Sequence, residues 1–165
     1  VLILANSIYL QASVEDTPPR ERPVLGWDVL LRHNIHNRTM KVLQPRKPTS
    51  GKILAHCKQQ ITAFREFLGL ALCIFKIGVT ANPLDRFEDY RAKAFTNMWI
   101  ICLSDDIGET HMLEAALISE FHSVPGCRNS PGTGGEGGLN RKKHGGPPYY
   151  TYVTGGRADQ LKRVG

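Results

Sequence analysis

Three absences narrow what this 165-residue chain can be. It has no Cys-x-x-Cys: Cys57, Cys73, Cys102 and Cys127 lie 16, 29 and 25 residues apart. That spacing argues against a zinc ribbon or a thioredoxin-like dithiol. It has no long hydrophobic run either. Stretches such as Leu70 to Phe75 fall far short of the roughly 20 apolar residues that span a bilayer. Val1-Leu-Ile-Leu-Ala5 is too short for a secretory h-region, and no basic n-region precedes it. The expectation is a reduced, intracellular protein that does not enter a membrane, with Cys73 and Cys102 as buried thiols.

What is present is an apolar fraction of 41%, enough for one modest core and a single domain over 1–165. The net charge of +6 is unevenly placed. Residues 12–68 hold 10 Lys/Arg against 5 Asp/Glu, residues 69–124 hold 4 against 8, and residues 125–165 hold 7 against 2. Two basic flanks around a mildly acidic middle suit a phosphate backbone as partner.

Along the chain, residues 3–10 read as a strand and 13–23, with three prolines, as linker. Residues 24–31 fit a short helix or strand. A helix is expected over 51–68, where Ile53, Leu54, Cys57, Ile61, Phe64 and Leu68 recur at helical spacing. Strands are expected over 70–79 and 97–103, with helices over 83–94 and about 109–122. Asn82 is placed to cap the first of these helices, with Pro83 at its opening position. Residues 124–146 read as a Gly/Pro-rich loop and 149–153 as a short strand.

Glu114 carries the strongest chemical signal. At about 100° per residue, Leu117, Ile118 and Phe121 fall within about 60° of it, so it sits in the apolar stripe of its helix. A carboxylate there needs a cation, a metal or several donors. The competing reading is an ordinary salt bridge. Arg86, on the first turn of its helix, suits bidentate contact with a phosphate or carboxylate. An i,i+3 pair with Asp89 is its plain alternative. Tyr90 faces inward one turn later, where core packing would also hold it. Gly78 ends a strand just before that helix and allows close backbone approach.

Lys76-Ile77-Gly78, helical Arg86 and Tyr90, helical Glu114 with Leu117-Ile118, and Asn129 after Pro125 come in the order and spacing of the GIY-YIG nuclease superfamily, which residues 70–130 resemble. The branch is the one whose second motif reads Lys-Ile-Gly. The resemblance implies an α/β (α+β) domain with a small antiparallel sheet of about three strands flanked by helices. Its core would be 70–130 plus a first strand over 3–11. Residues 12–68 would be a long basic insertion or N-terminal extension, and 131–165 a Gly-rich basic tail. The first-motif tyrosine normally lies about ten residues before the second motif. Residues 62–70 contain no tyrosine, so Tyr9 in Ser7-Ile8-Tyr9 is its nearest counterpart. Using it separates two hairpin-paired strands by roughly 60 residues, which loop entropy tolerates.

The activity implied is hydrolysis of DNA phosphodiester bonds by an endonuclease that uses one divalent metal, Mg²⁺ or Mn²⁺, held by Glu114. Arg86 would clamp the non-bridging oxygens, Tyr9 or Lys76 would orient and deprotonate water, and Tyr90 and Asn129 would support the site. RNA is the other polymer the charge would suit. The alternatives are a catalytically inactive nucleic-acid-binding module on the same fold, or a protein-interaction domain. Arg141, Lys142 and Lys143, close to Tyr149, Tyr150 and Tyr152, form a candidate backbone contact. The glycine-dense 132–138 run lacks the Gly-Lys-Ser/Thr ending of a P-loop. His111, three residues before Glu114, would make a two-ligand metal fragment with it, but no second pair is evident, and the histidines there and in the His33/His36 pair read as ordinary polar residues.

Overall fold

The computed structural model describes residues 25–41, 48–130 and 146–161. In chain order these form α1 (Trp27–Arg32), β1 (Ile35–Lys41), α2 (Ser50–Leu68), β2 (Cys73–Thr80) and α3 (Pro83–Arg91). They are followed by β3 (Asn97–Ser104), α4 (Ile107–Phe121), β4 (Tyr149–Arg157) and the short α5 (Ala158–Leu161). The class is α+β: a four-stranded mixed sheet of order β1-β3-β4-β2, flanked by helices. Among the described residues no helix is long and apolar enough to cross a membrane. All four cysteines are free thiols, with Cys57, Cys73 and Cys102 buried.

Local signals account for the helices. α2 buries Cys57, Ile61, Phe64 and Leu68 along one stripe and ends at Gly69, whose φ of 89° few other residues accept. α3 opens as expected, with the Asn82 side chain accepting from the Asp85 N–H. α4 starts at Ile107, two residues before the expected position. The Asp106 carboxylate caps it, accepting from the N–H groups of Gly108 at 2.7 Å and Glu109 at 3.0 Å.

The sheet departs from the expected three antiparallel strands. β1 is a fourth strand and runs parallel to β3. Its sequence, Ile-His-Asn-Arg-Thr-Met-Lys, has little apolar alternation because it lies at a sheet edge, where Ile35 is buried and Asn37 and Arg38 are exposed. The expected terminal strand over 149–153 is longer and central. β4 is antiparallel to both β2 and β3, with Gly78 opposite Tyr152 and Ile100 opposite the same tyrosine. The stretch expected to be an insertion therefore supplies α1, β1 and α2, and the stretch expected to be a tail supplies the central strand.

Each face of the sheet buries its own core. On one face α2 and α4 cover Phe75, Ile77, Trp99, Ile101 and Val153. Phe64 of α2 meets Trp99 edge-on, with ring centroids 5.3 Å apart. On the other face α1 and α3 cover Ile74, Met98, Ile100, Tyr150 and Tyr152. Alternate residues of β4 thus serve opposite cores, as the two-residue strand period requires.

Candidate active site at the edge of β2

β2 is an edge strand, and residues 126–129 cover part of its outer rim. The Phe75 N–H donates to the Gly126 carbonyl at 2.9 Å, and the Arg128 N–H donates to the Phe75 carbonyl at 2.8 Å. Gly126, at φ 87°, must be glycine: a Cβ there would run into the Cys73 carbonyl. Asn129 then replaces a neighbouring strand with its side chain. Its Oδ1 accepts from the Ile77 N–H and its Nδ2 donates to the Ile77 carbonyl, both at 2.8 Å. A peptide-like amide satisfies both backbone groups of the residue between Lys76 and Gly78.

Beside this clamp lies a cleft of about 230 Å³. Lys76, Gly78, Arg86, Tyr90, Glu114 and Asn129 all line it. Six positions read from the sequence as one constellation therefore meet in one place. Glu114 is half-buried there rather than sunk in the core, because its stretch of α4 faces the strand edge and not the sheet centre. Arg86 is 40% exposed and its Nη1 lies 3.7 Å from Asp89 Oδ2, the i,i+3 contact anticipated as its plain alternative. A surface pair of this kind is weak and leaves the guanidinium available.

Two further polar residues line the cleft that sequence reasoning did not place there. Tyr152, on β4, lies across from Gly78. A Cβ built on Gly78 would come within 2.6 Å of Tyr152 Cζ, so the glycine leaves room for the phenol ring to lie over the strand. Tyr152 Oη is 3.2 Å from Tyr90 Oη. Burial pushes the Tyr152 hydroxyl well above the usual phenol value; Tyr90 and Glu114 push it the same way, and Arg86 pulls against them. The second is His111, one helical turn before Glu114. Its spacing to Glu114 was visible, but only the fold brings that face of α4 to the cleft.

Tyr9 and the basic residues Arg141, Lys142 and Lys143 lie outside the described residues. The aromatic half of that candidate nucleic-acid contact is not on the surface. Tyr149, Tyr150 and Tyr152 are all buried, since they stand in the central strand and not in an edge strand. The signal that could have found Tyr152 is Tyr-Tyr-Thr-Tyr-Val, whose unbroken run of aromatic and β-branched residues is that of a strand buried on both faces.

The donor chemistry fits a hard divalent cation held mostly by water and substrate. Among the described residues no cluster of three or more His, Cys, Asp or Glu side chains could hold an ion. Glu114, with His111 beside it, leaves a site with one carboxylate, which is how Mg²⁺ commonly sits when substrate phosphate supplies further oxygens. In comparisons with known proteins, no family model, curated protein or solved structure matches this chain.

Proposed function

We propose that this chain is a divalent-metal-dependent endonuclease that hydrolyses DNA phosphodiester bonds on a GIY-YIG-like domain. In this reading the strand bearing the first-motif tyrosine comes last in the chain instead of first. Tyr152 takes the role that the sequence assigned to Tyr9. It stands on the antiparallel neighbour of the Lys76-Ile77-Gly78 strand, where a hairpin-paired first motif would put it. The observation that carries the proposal is the meeting of Lys76, Gly78, Arg86, Tyr90, Glu114 and Asn129 with Tyr152 around one cleft.

The residues divide the work as follows. Glu114 would hold Mg²⁺ or Mn²⁺, which would supply Lewis-acid polarisation of the phosphoryl group and charge stabilisation at the leaving oxygen. Arg86 pairs with the non-bridging oxygens as negative charge builds on them. Asn129 keeps the Ile77 peptide, and with it Lys76 and Gly78, in register with the cleft. Tyr152 stays protonated through the neutral range, so its hydroxyl orients the attacking water and does not deprotonate it. His111, whose imidazole lines the cleft, takes the proton.

Nicking of supercoiled plasmid with Mg²⁺ tests this directly. The intact chain should nick, chelator should stop it, and Glu114→Ala should reduce the rate by at least about 100-fold. Equal nicking by both proteins would overturn the assignment. One observation favours a second reading, a catalytically inactive nucleic-acid-binding module: Tyr152 is only 2% exposed. Salt-sensitive DNA binding without nicking would select it.

A further inference from the structure

A second cavity, larger than the cleft around Glu114, lies elsewhere. It holds about 350 Å³ and sits over the sheet face that α2 and α4 cover, between the start of α2 and the first turns of α4. Ile53, Leu54, Met112, Leu113 and Ala116 make its walls largely apolar, and Cys102 and Thr151 close its floor from neighbouring strands. This volume falls in the range of small-molecule sites and far exceeds what one water fills.

Its polar groups are unequal. Ser104 Oγ accepts from the Asp106 N–H at 3.1 Å, and the Thr110 hydroxyl donates to the Asp106 carbonyl at 2.6 Å. Both belong to the capping turn of α4. Thr151 is different: it is 1% exposed, and its Oγ1 has no hydrogen-bond partner. A buried hydroxyl without a partner is costly, and native proteins rarely keep one that nothing uses. The residue lines the floor of a cavity with room for a partner.

Charge narrows the ligand further. Among the residues lining the cavity none is basic, and one, the exposed Glu109, is acidic. An anion would find no counter-charge and a carboxylate at the mouth. The apolar walls in turn disfavour a desolvated cation.

We propose that this cavity binds a small neutral molecule with an apolar, ring-sized body and one hydroxyl or carbonyl group, which hydrogen-bonds to Thr151. The site is separate from the cleft around Glu114 and does not depend on nuclease activity.

The probe is p-cresol, titrated into the ¹⁵N-labelled full chain, with toluene as the same body lacking the hydroxyl. Saturable shifts by p-cresol at the amides of Cys102, Leu113 and Thr151 are expected. Thr151→Val should weaken p-cresol about tenfold, one hydrogen bond's worth, and leave toluene unchanged. Ala116→Trp, at an exposed helix position that lines the cavity, should abolish binding without disturbing the fold. That variant keeps the proposal testable if Thr151→Val folds poorly. Absence of saturable shifts at the cavity would overturn it, as would p-cresol affinity unaffected by either substitution.

Discussion

Tyr152 and Thr151 are consecutive residues of the central strand, and their hydroxyls meet opposite fates. The Tyr152 hydroxyl is paired with Tyr90 in a small cleft of about 230 Å³ rich in charge. The Thr151 hydroxyl is buried and unpaired at the floor of a cavity of about 350 Å³ whose lining is nearly without charge. α4 walls both spaces, with His111 and Glu114 turned to one and Met112, Leu113 and Ala116 to the other. The contrast teaches that volume and chemistry separate on this fold. The smaller space gathers the groups suited to phosphoryl transfer, and the larger one is suited to burying an apolar body.

The strongest way to break the contrast is Gly78→Ala. Its methyl would displace the Tyr152 ring, costing about 3 kcal/mol through overpacking, and nicking should fall with it. Chemical denaturation would measure the loss. The Thr151 cavity, on the other face, should keep its ligand affinity. Asn129→Ala comes next. It leaves the Ile77 N–H and carbonyl without their side-chain partner, a loss of about 2 kcal/mol in the same assay.

A pH titration of thermal stability sharpens the comparison from another side. Burial raises the Cys73 thiol to about 11 and holds Tyr152 well above the usual phenol value. For an acid bound more tightly in the folded state, the stabilisation is full below the unfolded pKa. It is lost as pH rises through the folded pKa. Tm should therefore hold steady up to about pH 9 and fall beyond it. Tyr152→Phe should flatten the part of the fall above about pH 10, whereas Thr151→Val should leave its shape unchanged.

The smallest effect is expected from Thr151→Val without ligand. Replacing an unpaired buried hydroxyl by a methyl should be neutral or raise stability by up to about 1 kcal/mol, read from the denaturant midpoint. A clear loss would mean that the hydroxyl already has a partner, and the two sides of β4 would then be alike.

Much of the chain from Ile53 to Phe121 was legible because its signals are local. Asn82-Pro83 announces α3, the helical recurrence from Ile53 to Leu68 announces α2, and Arg86 and Tyr90 fall where short-range periodicity puts them, whereas Glu114 lies nearer the rim of the sheet than its stripe suggests. The same reading missed β1, whose edge position asks for little apolar alternation. It also took Tyr149, Tyr150 and Tyr152 for surface aromatics because the basic residues nearby suggested a nucleic-acid contact. His111 was visible as a partner of Glu114, but nothing in its spacing says which side of α4 meets β2.

By itself, then, the sequence determined α2, α3 and α4, the Asn82 cap and the residue types available for chemistry, since each depends on neighbours a few positions away. Only the tertiary structure decided which tyrosine meets Gly78 and that β4 lies inside the sheet, between β3 and β2. It also decided that one β4 hydroxyl is paired while the next is not. Strand pairing joins segments far apart in the chain, and its register follows from burying both sheet faces at once, a condition no local spacing carries.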